Sequence, residues 1–263
     1  MASNLAWRAL PITTLTVRQF MGGKAVRVVA ALSIIPCLFA GIYLLDTSVA
    51  TPREFLSTLF LDVLVAPTLL PITVLILATV ALGNEIEDRT LPYLTLKPIA
   101  RVRIVLEKFF GILLVALPTV LVGLALTILI VSRADDGEQR LGRRFPDEFA
   151  LEPVVWATLV SAGVGVIAIS AIFLAVSLIV PRALLAGIVY TFTWESLLGR
   201  FIPGVRLVSI RHYVQSIYVA ILDDPNVTIR GATSLTGSIV TLGVASVVAL
   251  LFATWRLRRM NLE

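Results

Sequence analysis

Residues able to do covalent chemistry are scarce in this chain. One histidine, His212, and one cysteine, Cys37, occur in 263 residues. His-based triads, zinc sites needing two histidines and bis-histidine haem ligation are therefore excluded. Cys37 lies within an apolar run and reads as packing rather than as a nucleophile. Gly22-Gly23-Lys24-Ala25 offers the glycines and lysine of a phosphate loop. However, Arg18 stands where the first glycine is required, and Ala25 where a hydroxyl would bind Mg²⁺. What remains is binding chemistry, concentrated in one segment, residues 83–104. There Glu85, Glu87 and Asp88 are followed by Arg89, Lys97, Arg101 and Arg103, with Leu91, Tyr93, Leu94 and Leu96 between them. Pro92 and Pro98 bracket a stretch long enough for a turn or two of helix. An apolar centre with a charged rim suits a protein interface. A solvated loop would explain the arginines but not the clustered acids or the tyrosine.

The elements that must carry this segment are membrane spans. Apolar residues make up 58% of the chain and charged ones 15%, with a mean hydropathy of +0.95. Soluble domains average about 45–50% and about 25% respectively, so lipid must be part of the solvent. Charge-free runs predict six spans: Val28 to Leu45, Val63 to Leu82, Phe109 to Val131, Pro153 to Val180, Ala183 to about Leu198, and Gly231 to Trp255. The fifth is short, and parity argues for it. Arg8, Arg18, Lys24 and Arg27 near one end, and Arg256, Arg258 and Arg259 near the other, place both termini in the cytoplasm, which requires an even number of crossings. The same assignment puts a basic surplus inside and an acidic one outside. The net charge of +5 thus encodes orientation, and nucleic acid is not an expected partner. Lys24, Lys97 and Lys108 all fall at the cytoplasmic side, which leaves no lysine at membrane depth for serine–lysine chemistry.

Residues 1–25 read as a cytoplasmic interfacial amphipathic segment, with Leu5, Trp7, Leu10, Val17 and Phe20 opposing Arg8, Arg18 and Lys24 and an interruption at Pro11. No small-residue cleavage site follows, so a signal peptide is not expected. Residues 26–263 form the six-span domain. Its loop 132–152 is polar, of mixed charge, and without metal-ligand spacing. In residues 199–230, Leu207, Ile210, Val214, Ile217, Tyr218 and Ile221 recur at helical spacing, while Arg211 and Gln215 share another face. Arg206, Arg211 and His212 would cost about 2.5–3.5 kcal/mol each at the bilayer centre, so this segment is expected to be re-entrant or interfacial on the outer side. Asn226-Val227-Thr228 is a glycosylation triplet of a kind common by chance. Pro67, Pro71 and Pro118 permit kinks in spans two and three, and Ser161, Gly163, Gly165, Ser170, Gly237 and Gly243 permit close helix approach. Asp62 and Glu195 flank the membrane, where headgroup exposure is expected.

The run Ala81-Leu-Gly-Asn-Glu-Ile-Glu-Asp-Arg-Thr-Leu-Pro-Tyr-Leu-Thr-Leu-Lys-Pro-Ile-Ala-Arg101, with Val105-Leu-Glu-Lys-Phe-Phe-Gly111 after it, resembles the cytoplasmic loop of ABC-2 type transporter permeases. Thr16-Val-Arg-Gln-Phe20 before the first span and the short fifth span are also similar to that family. The resemblance implies an all-α integral membrane protein that serves as the transmembrane subunit of an ATP-driven transporter, most often an exporter. It implies partners as well: two copies of a separate ATP-binding subunit, which would hold the ATP and Mg²⁺, and a second permease subunit, as in a homodimer. Glu85, Glu87, Asp88, Arg89, Thr90 and Tyr93 would lie in the coupling helix that enters a cleft of the ATPase, with Lys97, Pro98 and Arg101 continuing the contact. No cofactor is expected in this chain, and no cargo can be read from it. Three rival readings differ in class. An ATP-independent secondary transporter would need broken helices or embedded ionisable groups in repeat-related positions, and beyond Asp62 and Glu195 the sequence suggests neither. An intramembrane enzyme would need polar groups that the spans lack. A non-transporting anchor or sensor for a soluble ATPase would use the same docking loop.

Overall fold

A computed structural model describes residues 11–45, 50–83, 100–140, 151–180, 182–191, 193 and 209–259. Every regular element among them is helical. We number these α1 (Pro11–Gly22), α2 (Lys24–Tyr43), α3 (Pro52–Gly83), α4 (Arg101–Arg140), α5 (Glu152–Ser177), α6 (Ala183–Tyr190), α7 (Ile210–Leu222) and α8 (Leu235–Arg259). Five of them, α2, α3, α4, α5 and α8, are long and apolar enough to cross a bilayer, since about 20 helical residues span its hydrocarbon core. The chain is a multi-pass membrane protein. The expected fifth span is described as helix only over the eight residues of α6, and 194–208 lie outside the described residues, as do 141–150 of the expected outer loop 132–152, whose first residues continue α4 to Arg140.

Two span starts differ most from the expected ones. The second span begins at Pro52, not near Val63, because Thr51 caps its start: the Glu54 amide donates to Thr51 Oγ1 over 3.2 Å, and Pro52 occupies the first turn, where no amide is missed. The third begins at Arg101, not Phe109, because Arg101, Arg103, Glu107 and Lys108 are good helix formers that the charge-free criterion leaves out.

Helix α5 is the hub. The helices α3, α4, α7 and α8 all pack on it, and it buries Ser161, Gly165, Ser170 and Ser177 among larger apolar residues. Gly165 is the point of closest approach: a Cβ there would sit 3.1 Å from Val214 Cγ2 of α7 and 3.3 Å from Leu70 Cδ1 of α3. Around the hub, α2 lies against α4 with Gly123 pressed onto the Ser33 carbonyl. Cys37 fits the same seam, its thiol 3.5 Å from the Gly123 carbonyl and 3.4 Å from Thr127 Oγ1. It is a packing residue there, as the sequence indicates. By contrast, α2 and α8 turn long apolar rows outward. Ile34, Leu38 and Ile42 are exposed on α2, and Val240, Val244, Val248 and Leu251 on α8. In a membrane chain that face needs no cover from water.

Helix α3 is broken. It is α-helical over Pro52–Thr58 and Leu70–Ala78, with π-helical turns at Leu59–Val63, Val65–Leu69 and Thr79–Gly83. Leu64 leaves helical geometry altogether, at φ −135°, ψ −54°. Pro67 and Pro71 account for the first two turns, since neither can donate to the helical ladder and each ring clashes with the preceding turn. Thr73 and Thr79 return hydroxyls to the carbonyls of Leu69 and Leu75, at 2.7 and 2.8 Å, a back-bonding that also bends helices. The kinks that Pro67 and Pro71 are expected to permit are thus present in this helix.

A polar clamp flanking residues 84–99

Of the nine residues expected to contact an ATPase, Glu85, Glu87, Asp88, Arg89, Thr90, Tyr93, Lys97 and Pro98 lie outside the described residues. Arg101 is described, together with the two ends on which the loop stands. Those ends are held by the first two turns of α4, which present charged side chains to three other helices.

Arg101 comes first. Its Nη1 donates to the carbonyls of Leu257 at 2.6 Å and Arg258 at 2.7 Å, in the last turn of α8. Helix C-termini leave such carbonyls without intrahelical donors and carry partial negative charge, so a guanidinium is the natural cap. Arg259 folds over the Trp255 ring, its Cζ 4.6 Å from the centroid, which orders the same turn. Replacing Arg101 with glutamine is expected to destabilise the protein by about 1 kcal/mol, read as a small fall in thermal midpoint in detergent. The effect should be confined to the end of α8, detectable as faster amide exchange there.

Glu107 is the second contact. It is 2% exposed, and its Oε2 accepts from the backbone amides of Ile12 at 2.8 Å and Thr13 at 3.2 Å. Thr13 Oγ1 donates in turn to the Glu107 carbonyl at 3.0 Å. These amides open α1, whose first residue, Pro11, has none to offer. A carboxylate from a distant helix therefore fills the place that an N-cap side chain would ordinarily take. Its other oxygen, Oε1, lies 2.6 Å from Arg103 Nε, one turn earlier on α4. One turn later, Thr16 of α1 rests on Gly111, where a Cβ would meet Thr16 Cγ2 at 3.0 Å. The segment expected to be amphipathic is thus helical from Pro11 and docked on α4.

Lys108 completes the set. It is fully buried, and its Nζ donates to the Ala81 carbonyl over 2.8 Å. Ala81 belongs to the π-helical turn Thr79–Gly83, the last described stretch before the loop. The sequence reads Lys108 as a boundary residue; its burial within the fold is what that reading does not announce. The side chain points inward and serves a carbonyl that the loosened helix end presents. The charge pattern Arg101, Arg103, Glu107, Lys108 signals a membrane boundary; that it reaches α8, α1 and α3 requires the fold.

At the opposite end of α3 a second polar group forms. Gln215 Nε2 and Arg211 Nη2 of α7 both donate to the Leu61 carbonyl, at 2.5 and 3.3 Å. Ser57 Oγ lies 3.1 Å from the Tyr218 hydroxyl, and the Tyr218 ring stacks on Phe60 at 4.6 Å. Burial pushes the Tyr218 phenol above its ordinary range, outweighing the Ser57 and Thr158 hydroxyls and the Arg53 charge that pull it down. It therefore stays a neutral hydroxyl at any working pH. Arg211 and Gln215 do share a face, as their spacing predicts, and His212 is occupied as well, with Nε2 3.0 Å from the Gly231 carbonyl. Asp62 is exposed, whereas Glu195 lies outside the described residues. No group of three or more metal-ligating side chains occurs among the described residues. No family model matches this chain, and no curated protein matches it.

Proposed function

We propose that the chain is the transmembrane permease subunit of an ATP-driven transporter of the ABC-2 type. In this reading it resides in the cytoplasmic membrane with both termini inside, crosses six times, and exports its cargo. Residues 1–25 lie along the inner interface and 199–230 form the outer re-entrant segment. The subunit pairs with a second copy and with two ATP-binding subunits, which supply ATP and Mg²⁺ chemistry that this chain lacks. One observation carries the reading: the acidic-then-basic segment Glu85 to Arg101, similar in sequence to the family's coupling loop, is footed on a clamp. Lys108 fixes the helix end where the segment begins, and Arg101 fixes the end where it returns. A nucleotide-driven partner can shift the subunit between states only through differential contact. A loop with pinned feet passes such contact to α3, α4 and α8 rather than absorbing it.

Co-purification of a P-loop ATPase with the tagged chain, and cargo-stimulated ATP hydrolysis of the pair in liposomes, test this. Cargo movement without nucleotide would favour a secondary transporter. Stable recruitment of the ATPase without movement of cargo would favour an anchor or sensor. Within the assembled pair, Glu87→Lys is expected to leave the chain folded and membrane-inserted but to abolish transport-linked ATP turnover, because it reverses charge in the acidic half of the docking segment. Turnover and transport unchanged by Glu87→Lys would remove the coupling role.

A further inference from the structure

Helix α7 and the first segment of α3 meet along an antiparallel polar seam. Arg53, Ser57 and Leu61 succeed one another at four-residue intervals, so they share one face of α3. Across from them run Asp224, then Tyr218, then Gln215 with Arg211. Arg53 Nε pairs with Asp224 Oδ2 at 2.9 Å, Ser57 with Tyr218 at 3.1 Å, and the Leu61 carbonyl takes both donors of the third rung. Directly after that rung the helix is interrupted at Leu64, with π-helical turns on either side. Beyond the interruption α3 is again tightly held, with Leu70 against Gly165 and Val214. Beside the joint lies an apolar cleft lined by Ala66, Leu70, Pro71, Ile169 and Phe173, with Arg211 at its edge.

Three features coincide here. Polar pairs between membrane helices add little net stability, well under that of close packing. A π-helical interruption in a long helix marks a place where function tolerates a weak ladder. The apolar cleft next to it leaves the joint less closely packed on that side. The geometry points to a releasable strap: Pro52–Val63 turns about Leu64 away from α7, giving up the three rungs and the Phe60–Tyr218 stack together, while Leu70–Ala78 and α7 stay on α5. Opening connects the apolar cleft with the molecular surface at the end of α3 farthest from Lys108. The strap is a property of this chain alone and does not rest on the permease reading.

Two measurements on the full-length chain in lipid nanodiscs test it. In the unaltered protein, amides of Pro52–Val63 should exchange with deuterium as one cooperative unit, at least about tenfold faster than those of Leu70–Ala78 or α7, with the step at Leu64. Protection equal on both sides of Leu64, or graded fraying from Pro52, would overturn the strap. In the second, nitroxides replace the exposed Glu54 and Ala220 in a Cys37→Ser background, and pulsed electron–electron distances are recorded. Tyr218→Phe with Gln215→Leu, which removes the second rung and one of the two donors of the third, should raise a longer-distance population about tenfold. A second pair at Trp156 and Ala220, which reports α5 against α7, should not move. An unchanged Glu54–Ala220 distribution in that variant would overturn the proposal.

Discussion

Replacing Glu107 with alanine is expected to cost about 3–5 kcal/mol, the range for removing one partner of a buried charged group. The carboxylate is the acceptor for two amides of α1 and for Arg103, and at 2% exposure it is sheltered from solvent. Two backbone donors would then be buried without partners, each costing about 1–3 kcal/mol. The measurement is thermal unfolding of the detergent-purified chain, alongside proteolysis at the start of α1, which should become sensitive well below the global midpoint. Glu107→Gln is the informative companion. It keeps an acceptor for the α1 amides while discarding the charge, and should lose about half as much. A loss below about 1 kcal/mol for the alanine variant would mean that α1 is held by its apolar face alone. Ile12 and Phe20 would then carry the docking.

Gly123→Ala is expected to be the most damaging single-methyl change in the bundle. Its Cβ would stand 2.3 Å from the Ser33 carbonyl oxygen and 3.1 Å from Ser33 Cβ, and the first of these is backbone that cannot swing aside. Helix α2 must move off α4, and Cys37 and Thr127 lose their place in the seam. Overpacking of this kind costs about 1–3 kcal/mol, offset by less than 1 kcal/mol of improved helix propensity. Gly163→Ala provides the control, because nothing lies within 4 Å of its added methyl; it should be neutral or slightly stabilising. Equal midpoints for the two variants would show that the α2–α4 crossing yields without penalty.

How much of this was legible in the sequence varies with the kind of signal. Apolar runs reveal spans because lipid imposes length and composition together, and the five long helices fall where those runs lie. Prolines at 67 and 71 announce the irregularity of α3. The helical spacing of Ile210, Val214, Ile217 and Tyr218 announces α7 and its polar stripe. The partners of that stripe could not be read, because Gln215 reaches a backbone carbonyl, and carbonyls have no sequence signature. The same holds for Lys108 and Ala81. Glu107 illustrates the limit most clearly. Between Val105 and Phe109 it looks like a boundary marker, and its partners Ile12 and Thr13 lie some 95 positions away. The only local hint was that α1 begins with proline and lacks a conventional capping side chain after Leu10. The proposed docking segment was legible as a pattern of charge and tyrosine, and eight of its nine residues lie outside what the structure describes.

The spacing of the anchors on α4 has a consequence for how sequences of this kind can vary. Arg101 and Lys108 are separated by about two helical turns, so both emerge from one side of the helix, with Glu107 a step around from it. Their partners belong to three other helices whose positions are fixed elsewhere. The eight residues from 101 to 108 thus work as a ruler. One residue inserted between them would rotate one anchor by about 100° relative to the other and leave α8 or α3 unattached. Length variation among related sequences should therefore be absent from these two turns.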